Sequence, residues 1–189
     1  MRKCLQRKIY WQRKGEQGFT LVETLLAIAI LSMAVLGPLG IASSGISAAT
    51  IGKDRLIAVA LGQDVFEYVR GVRDANRLLN VDGNPSNDVP WLSGISLCTA
   101  PLGCKVDTTA ASNNIVKINS NTSEGLLKFD KNVTKLYGYN GSWGDSAFTR
   151  WFTVEELVAN REARIIVTVT WRTLFSTKNV IVSGNLMNW

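Results

Sequence analysis

The feature that most constrains this chain is a long stretch without charge near its N-terminus. No Asp, Glu, Lys or Arg occurs from Thr24 to Gly52, and fourteen of the eighteen residues from Leu25 to Ala42 are Ala, Val, Ile, Leu or Met. The 23 residues of Phe19–Ile41 would form a helix of about 34 Å, against a hydrocarbon core of about 30 Å. The sequence therefore predicts a helix that crosses a membrane once.

Charge is distributed unevenly along the 189 residues. The formal net charge is +6, and residues 1–18 alone carry +5, from six Lys and Arg residues and Glu16. A basic segment before an apolar span predicts a cytoplasmic N-terminus and an external C-terminal part. The remaining residues, 19–189, carry only +1 and have no cluster of basic side chains, so no nucleic-acid partner is predicted.

Composition also limits the chemistry that is available. The chain has no histidine and three cysteines, which excludes catalysis by serine–histidine or cysteine–histidine pairs, histidine-ligated metals and a four-thiolate zinc site. It also lacks a Gly-rich phosphate loop and a convincing pair of carboxylates. We therefore expect no enzyme activity, no cofactor and no metal site.

One acidic residue lies just inside the apolar stretch. At the centre of a membrane helix an acid costs about 2.5–3.5 kcal/mol, so Glu23 requires a reason. A local reason is available, because Thr20-Leu21-Val22-Glu23 has the form of a capping box and the helix dipole favours an acid in the first turn. A capping box does not explain the glycine and phenylalanine that precede it, or the basic tract before both.

Residues 13–26, with the sequence RKGEQGFTLVETLL, resemble the processing site of type IV prepilins and pseudopilins. The resemblance implies that a membrane peptidase cuts after Gly18 and methylates Phe19. The resemblance also implies that Glu23 becomes the fifth residue of the processed chain and helps each subunit to dock into a filament. The implied partners are prepilin peptidase, other pilin or pseudopilin subunits, the inner-membrane assembly platform and, before assembly, membrane lipid.

The physical chemistry of this implied role is coherent. Cleavage exposes an α-amine on Phe19, four residues before Glu23. A carboxylate buried among helices in lipid needs a cationic partner, and the amine of a neighbouring subunit can supply one. The expected location is the plasma (inner) membrane, crossed once with the C-terminus outside, and then an extracellular or periplasmic filament.

Two other functional interpretations remain open. The small residues of Ser47-Ala48-Ala49 permit a signal-peptidase cut before Thr50. The chain would then be a secreted β-rich binding domain, or, without any cleavage, a membrane-tethered one that does not polymerise.

Five segments are predicted along the chain, with an interruption of the first helix at Gly37 and Pro38. Proline removes a helical hydrogen bond and glycine permits unwinding, although a simple kink is equally compatible with the sequence.

After Thr50 apolar residues recur at helical spacing, and residues 62–70 are similar to the helix of minor pilins and pseudopilins, which implies a minor subunit. The segments are a cytoplasmic leader at 1–18, a transmembrane and assembly helix at 19–42, its amphipathic continuation at 43–80, a variable loop region at 81–125 and an antiparallel β-sheet at 126–189.

The loop region contains two cysteines that are close in sequence. It is rich in Gly, Pro, Ser, Asn and Thr, which predicts little regular structure. Because an exported compartment is oxidising, we expect a disulfide between Cys98 and Cys104, with two free thiols as the alternative.

The C-terminal segment has the alternation that is typical of strands. Strands are expected at 126–129, 148–158, 163–172 and 178–187, and in the third strand Ile165, Val167, Val169 and Trp171 share one face. The predicted fold class is α+β, a pilin fold in which a long N-terminal helix packs on a three- to four-stranded antiparallel sheet.

Overall fold

The structure, a computed structural model, describes residues 18–110, 115–121, 123–173 and 176–189. Contacts divide the chain into two compact units, Met1–Ala49 and Thr50–Trp189. Apart from Gly18, the predicted leader lies outside the described residues.

One helix, α1, runs over Leu21–Val81. It begins at a cap, because the Thr20 hydroxyl accepts a hydrogen bond of 3.2 Å from the Glu23 backbone N–H. It ends one residue beyond the predicted end, and Gly83 follows with a φ of +83°, a conformation that glycine adopts without steric cost. Within the described residues, α1 is long and apolar enough to cross a membrane.

Gly37 and Pro38, where the sequence predicts an interruption or a kink, both lie inside α1 in the structure. Proline at position 38 removes one backbone donor, which leaves the carbonyl of Ala34 without its usual partner. The turns on both sides keep their own hydrogen bonds, so the loss of one bond does not end the helix.

Seven strands follow α1 within the described residues, and four of them correspond to the predicted strands. The observed strand at 126–129 has the predicted bounds. The observed strands at 144–158, 162–172 and 177–187 each begin earlier than predicted. The strands are β1 (Cys104–Val106), β2 (Ile115–Lys117), β3 (Leu126–Phe129), β4 (Tyr137–Gly138), β5 (Gly144–Val158), β6 (Glu162–Arg172) and β7 (Thr177–Met187).

These strands form one antiparallel sheet. β5, β6 and β7 are a meander, and the register of β6 against its neighbours places Val167 opposite both Phe152 and Val182. The other edge of β5 is shared, since β3 pairs with its first half and β1 pairs at Phe152. β4 extends β3, and β2 extends β1. The α+β architecture with a helix packed on an antiparallel sheet is therefore confirmed.

The second half of α1 packs on this sheet at very short range. Its buried apolar residues, Ala58, Leu61, Val65 and Val69, lie one or two turns apart on one face. Glycines permit the close approach: a Cβ added to Gly62 would lie 2.7 Å from Val182 Cγ2, and one added to Gly184 would lie 2.6 Å from the Phe66 ring.

The described residues of the segment 81–125, which is predicted to have little regular structure, contain only two short strands but are packed into the fold. The segment supplies β1 and β2, and it contributes a set of buried apolar residues to the core beneath α1. Hydrophobic burial, rather than backbone regularity, fixes this segment. The buried residues are Trp91, Leu92, Ile95, Cys98, Cys104, Val106 and Ile118.

Candidate assembly site

The peptide bond between Gly18 and Phe19 lies just outside α1. The Phe19 side chain is 80% exposed, and the helix begins two residues later, at Leu21. A Cβ placed on Gly18 would meet no atom within 4 Å. The fold of the chain therefore does not require a glycine at this position.

The Glu23 carboxylate differs from most of the hydroxyl groups in the apolar segment. Hydroxyls of this segment donate to helix carbonyls: Thr24 to Leu21 at 2.8 Å and Ser32 to Ile28 at 2.7 Å. Such bonds satisfy a hydroxyl within its own helix. No hydrogen bond or ion pair of the Glu23 carboxylate is present within the part of the chain that the structure describes. Its negative charge is therefore available to another molecule.

The surface of α1 around this carboxylate is apolar and uncovered. Every described residue from Gly18 to Ala49 is exposed, including Leu25, Ile28 and Leu31. Exposed apolar surface of this extent is covered by lipid or by other protein in a native setting. A helix satisfies its own backbone hydrogen bonds, so it is compatible with either cover.

Comparison with known proteins gives one result for this segment. Residues 13–37 match the model of the prokaryotic N-terminal methylation motif. The match includes Gly18, Phe19 and Glu23, and it supports a type IV pilin-like family and a pilin- or pseudopilin-type subunit that prepilin peptidase processes. It thereby indicates a structural subunit rather than an enzyme. No curated protein and no solved structure matches the chain.

A buried arginine that the sequence analysis did not identify holds α1 on the sheet. Arg150 of β5 is 1% exposed. Its guanidinium donates to the carbonyls of Leu61 and Val106, both at 3.1 Å, and to the Asp64 carboxylate at 3.0 Å. The three acceptors belong to α1 and β1, so one side chain fixes both elements against β5. This arrangement satisfies most of a charge that would otherwise be costly to bury.

The groups around Arg150 extend the network. The Asp64 carboxylate also accepts the Thr108 hydroxyl at 2.5 Å. Burial raises the pKa of the Asp107 carboxyl, but hydrogen bonds from Thr109 and Tyr139 and the charge of Arg150 outweigh it and hold that pKa below its usual value. Burial raises the pKa of the Tyr139 phenol, which donates to the carbonyl of Arg150 at 3.1 Å. The network is structural and lies within the second unit.

Cys98 and Cys104 are joined by a disulfide in the structure. Both residues are buried, and the Cys98 carbonyl accepts the backbone N–H of Val154 at 2.6 Å. The bridge therefore ties the segment before β1 to β1 itself, and the Cys98 carbonyl ties the same segment to β5. Gly103 is required here, because its φ is +78° and an added Cβ would lie 2.2 Å from the Phe152 carbonyl oxygen.

No group of three or more Cys, Asp or Glu side chains in the described ranges is arranged to hold a metal ion.

Proposed function

We propose that this chain is a subunit, and specifically a minor subunit, of a type IV pilus or a type II secretion-like pseudopilus. Prepilin peptidase cuts it after Gly18 and methylates Phe19. The processed chain waits in the inner membrane with its C-terminal unit outside, and then joins a filament through α1.

The single observation that carries this proposal is the Glu23 carboxylate, which has no hydrogen-bond or ion-pair partner among the described residues. The neighbouring hydroxyls of Thr24 and Ser32 instead donate to carbonyls of their own helix, at 2.8 and 2.7 Å. A carboxylate left in apolar surroundings is strongly favoured to take a cationic partner. The Phe19 amine of an adjacent copy, in the same orientation and displaced along the helix axis, is such a partner. Pairing therefore selects one register for each incoming subunit.

Gly18 supports the cleavage step in a different way. The chain has room for a Cβ at this position, in contrast to Gly103, which the fold requires. A glycine that folding does not require, placed next to an exposed Phe19, fits recognition by a second protein that needs close access to the backbone.

The experiment compares two alanine substitutions in the same segment. In Glu23→Ala the incoming subunit loses its charge partner, and we expect incorporation into purified filaments to fall by about tenfold or more, which corresponds to about 1.4 kcal/mol or more. Ser32→Ala is the matched control, because its hydroxyl is satisfied within the helix, and it should incorporate normally.

Membrane insertion and cleavage should be unchanged in both variants, as measured by alkaline extraction and by intact mass. Normal incorporation of Glu23→Ala would contradict the role of this carboxylate. Equal loss in Ser32→Ala would show that the assay reports helix packing rather than charge pairing.

A further inference from the structure

The second unit, Thr50–Trp189, carries opposite charge at its two ends. We define the basal end as residues 53–57, 128–137, 144–145, 171–173 and 176–178, and the distal end as residues 73–88, 155–164 and 185–189. Among these described residues, the basal end has seven Lys and Arg against three Asp, a net of +4, and the distal end has four Lys and Arg against six Asp and Glu, a net of −2.

Packing brings the basal segments together around the start of this unit. Ile57 and Ala58 of α1 share one apolar cluster with Tyr137, Phe148 and Trp171. The register of β6 and β7 places Lys178 opposite Trp171. The distal segments meet about 24 Å further along α1, where Arg73 donates to the carbonyl of Met187 and Arg77 donates to the side chain of Asn188.

The loop between β3 and β4 presents both cations and apolar side chains to the outside. Lys131 and Lys135 are exposed, and the Lys135 ammonium donates to the Lys131 carbonyl, which ties both lysines into one turn. Between and beside them, Val133 is 84% exposed and Leu136 is 48% exposed. The acid in this loop, Asp130, is turned inward and accepts backbone N–H groups of the loop, so its carboxylate does not lie among the exposed lysines.

The basal end is also the end at which the chain arrives from the apolar unit. Leu136 and Lys135 line a cleft with Ile57 and Ala60 of α1. Ala49 and Ile57 are only eight residues apart in the sequence. The basal end is therefore the part of the second unit that directly follows the apolar segment along the chain.

We propose that the basal end docks on an anionic phospholipid surface while the subunit waits in the membrane, an inference that rests on the membrane insertion in the proposed function. The lysine ammonium groups pair with lipid phosphates, and the exposed Val133 and Leu136 enter the headgroup region. The acidic distal end is repelled by the same surface and faces away from it. Entry into a filament must break this contact, so lipid charge controls how readily the subunit leaves the membrane.

The test uses the full chain in vesicles, with an environment-sensitive fluorophore on Val133→Cys and a nitroxide quencher on the lipid headgroups. Vesicles of phosphatidylcholine are compared with vesicles that also contain phosphatidylglycerol. We expect quenching of this label only in the anionic vesicles, and its loss at high salt. A label on Leu97→Cys, which replaces a side chain that is 73% exposed outside the basal end, should be quenched in neither.

Charge variants measure how much the basic residues contribute to binding of the basal end to the membrane. A basic residue near an anionic surface is worth about fivefold in the binding equilibrium, so Lys131→Gln with Lys135→Gln should weaken the contact about 30-fold. Arg161→Gln with Arg164→Gln makes the same change in net charge at the distal end and should leave quenching unchanged. Equal quenching of the Val133 label in both kinds of vesicle, or an equal effect of the arginine pair, would overturn the inference.

Alkaline extraction of the vesicles separates the two levels of the argument. A chain that is extracted has not inserted, which contradicts the proposed function. An inserted chain whose Val133 label ignores lipid charge contradicts only the docking of the basal end.

Discussion

The close approach of α1 to β7 gives a stability prediction that a matched pair of variants can isolate. Gly62 and Gly71 both lie inside α1 and within the second unit. An added Cβ at Gly62 would lie 2.7 Å from Val182 Cγ2, whereas at Gly71 it would meet nothing within 4 Å. Both substitutions to alanine gain the same helix propensity, so their difference reports the contact with β7 alone.

The expected magnitudes follow from these distances. Gly71→Ala should raise the free energy of unfolding by about 0.8–1 kcal/mol, because alanine is the better helix former. Gly62→Ala has the same gain, but the methyl group must displace Val182, whose branched side chain is stiff at χ1. Overpacking of this kind costs about 1–3 kcal/mol. Gly62→Ala should therefore be less stable than Gly71→Ala by about 1–3 kcal/mol.

Thermal unfolding of the full chain in detergent, followed by near-ultraviolet circular dichroism with the disulfide intact, measures this difference. At roughly 4 °C per kcal/mol for a unit of this size, the midpoint temperatures of the two variants should differ by about 4–12 °C. If Gly62→Ala is as stable as Gly71→Ala, α1 does not lie close enough to β7 for a methyl group at position 62 to clash with Val182. That result would contradict the close packing of α1 on β7.

Two further predictions concern buried polar groups. Arg150→Met keeps the side-chain volume but leaves the carbonyls of Leu61 and Val106 unpaired, so urea unfolding should show a free energy of unfolding that is lower by about 2–4 kcal/mol. Asp64→Asn, at a half-exposed carboxyl, should lower it by less than about 1 kcal/mol. Equal losses would contradict the role of Arg150 in holding α1 on the sheet. Hydrogen bonds from the backbone of Thr134 and its loop hold the pKa of the Asp130 carboxyl well below its usual value, so its stabilising effect is complete above the ordinary carboxyl pKa of about 3.9 and is lost as pH falls further. Asp130→Asn should therefore destabilise the chain at pH 7. Unfolding curves recorded as a function of pH should show that the difference in stability between this variant and the unsubstituted chain shrinks below about pH 4. A difference that stays constant with pH would contradict this role of the Asp130 carboxylate.

The strands were predictable because their period is unambiguous. In β6, Ile165, Val167 and Val169 are buried and alternate with less buried residues, and a one-residue error of register would expose that whole set. The helical spacing of apolar residues after Thr50 likewise predicted the face of α1 that packs on the sheet.

The structure of the segment 81–125 is harder to predict from its sequence, because tertiary contacts determine its order. Trp91 and Ile95 are buried in turns, and turns have no hydrophobic period that a sequence pattern can reveal. β1 and β2 are only three residues long, which is too short for alternation to be recognised.

Arg150 was missed for a different reason. A charged residue in a strand is normally assigned to the solvent face. A signal was nevertheless present, because Arg150 has the same parity as Phe148, Phe152 and Val154, which are all buried. A basic residue on the apolar face of a strand indicates a buried partner, although the identity of that partner depends on the fold.

The most direct test of the account is the N-terminus of the chain recovered from cells that assemble filaments. Intact-mass analysis and N-terminal sequencing of the filament fraction should find a chain that begins at a methylated Phe19. A chain that begins at Thr50 would indicate a secreted domain, and one that keeps Met1 would indicate a permanent anchor. Either of those results would contradict processing after Gly18, on which the proposed assembly through Glu23 depends.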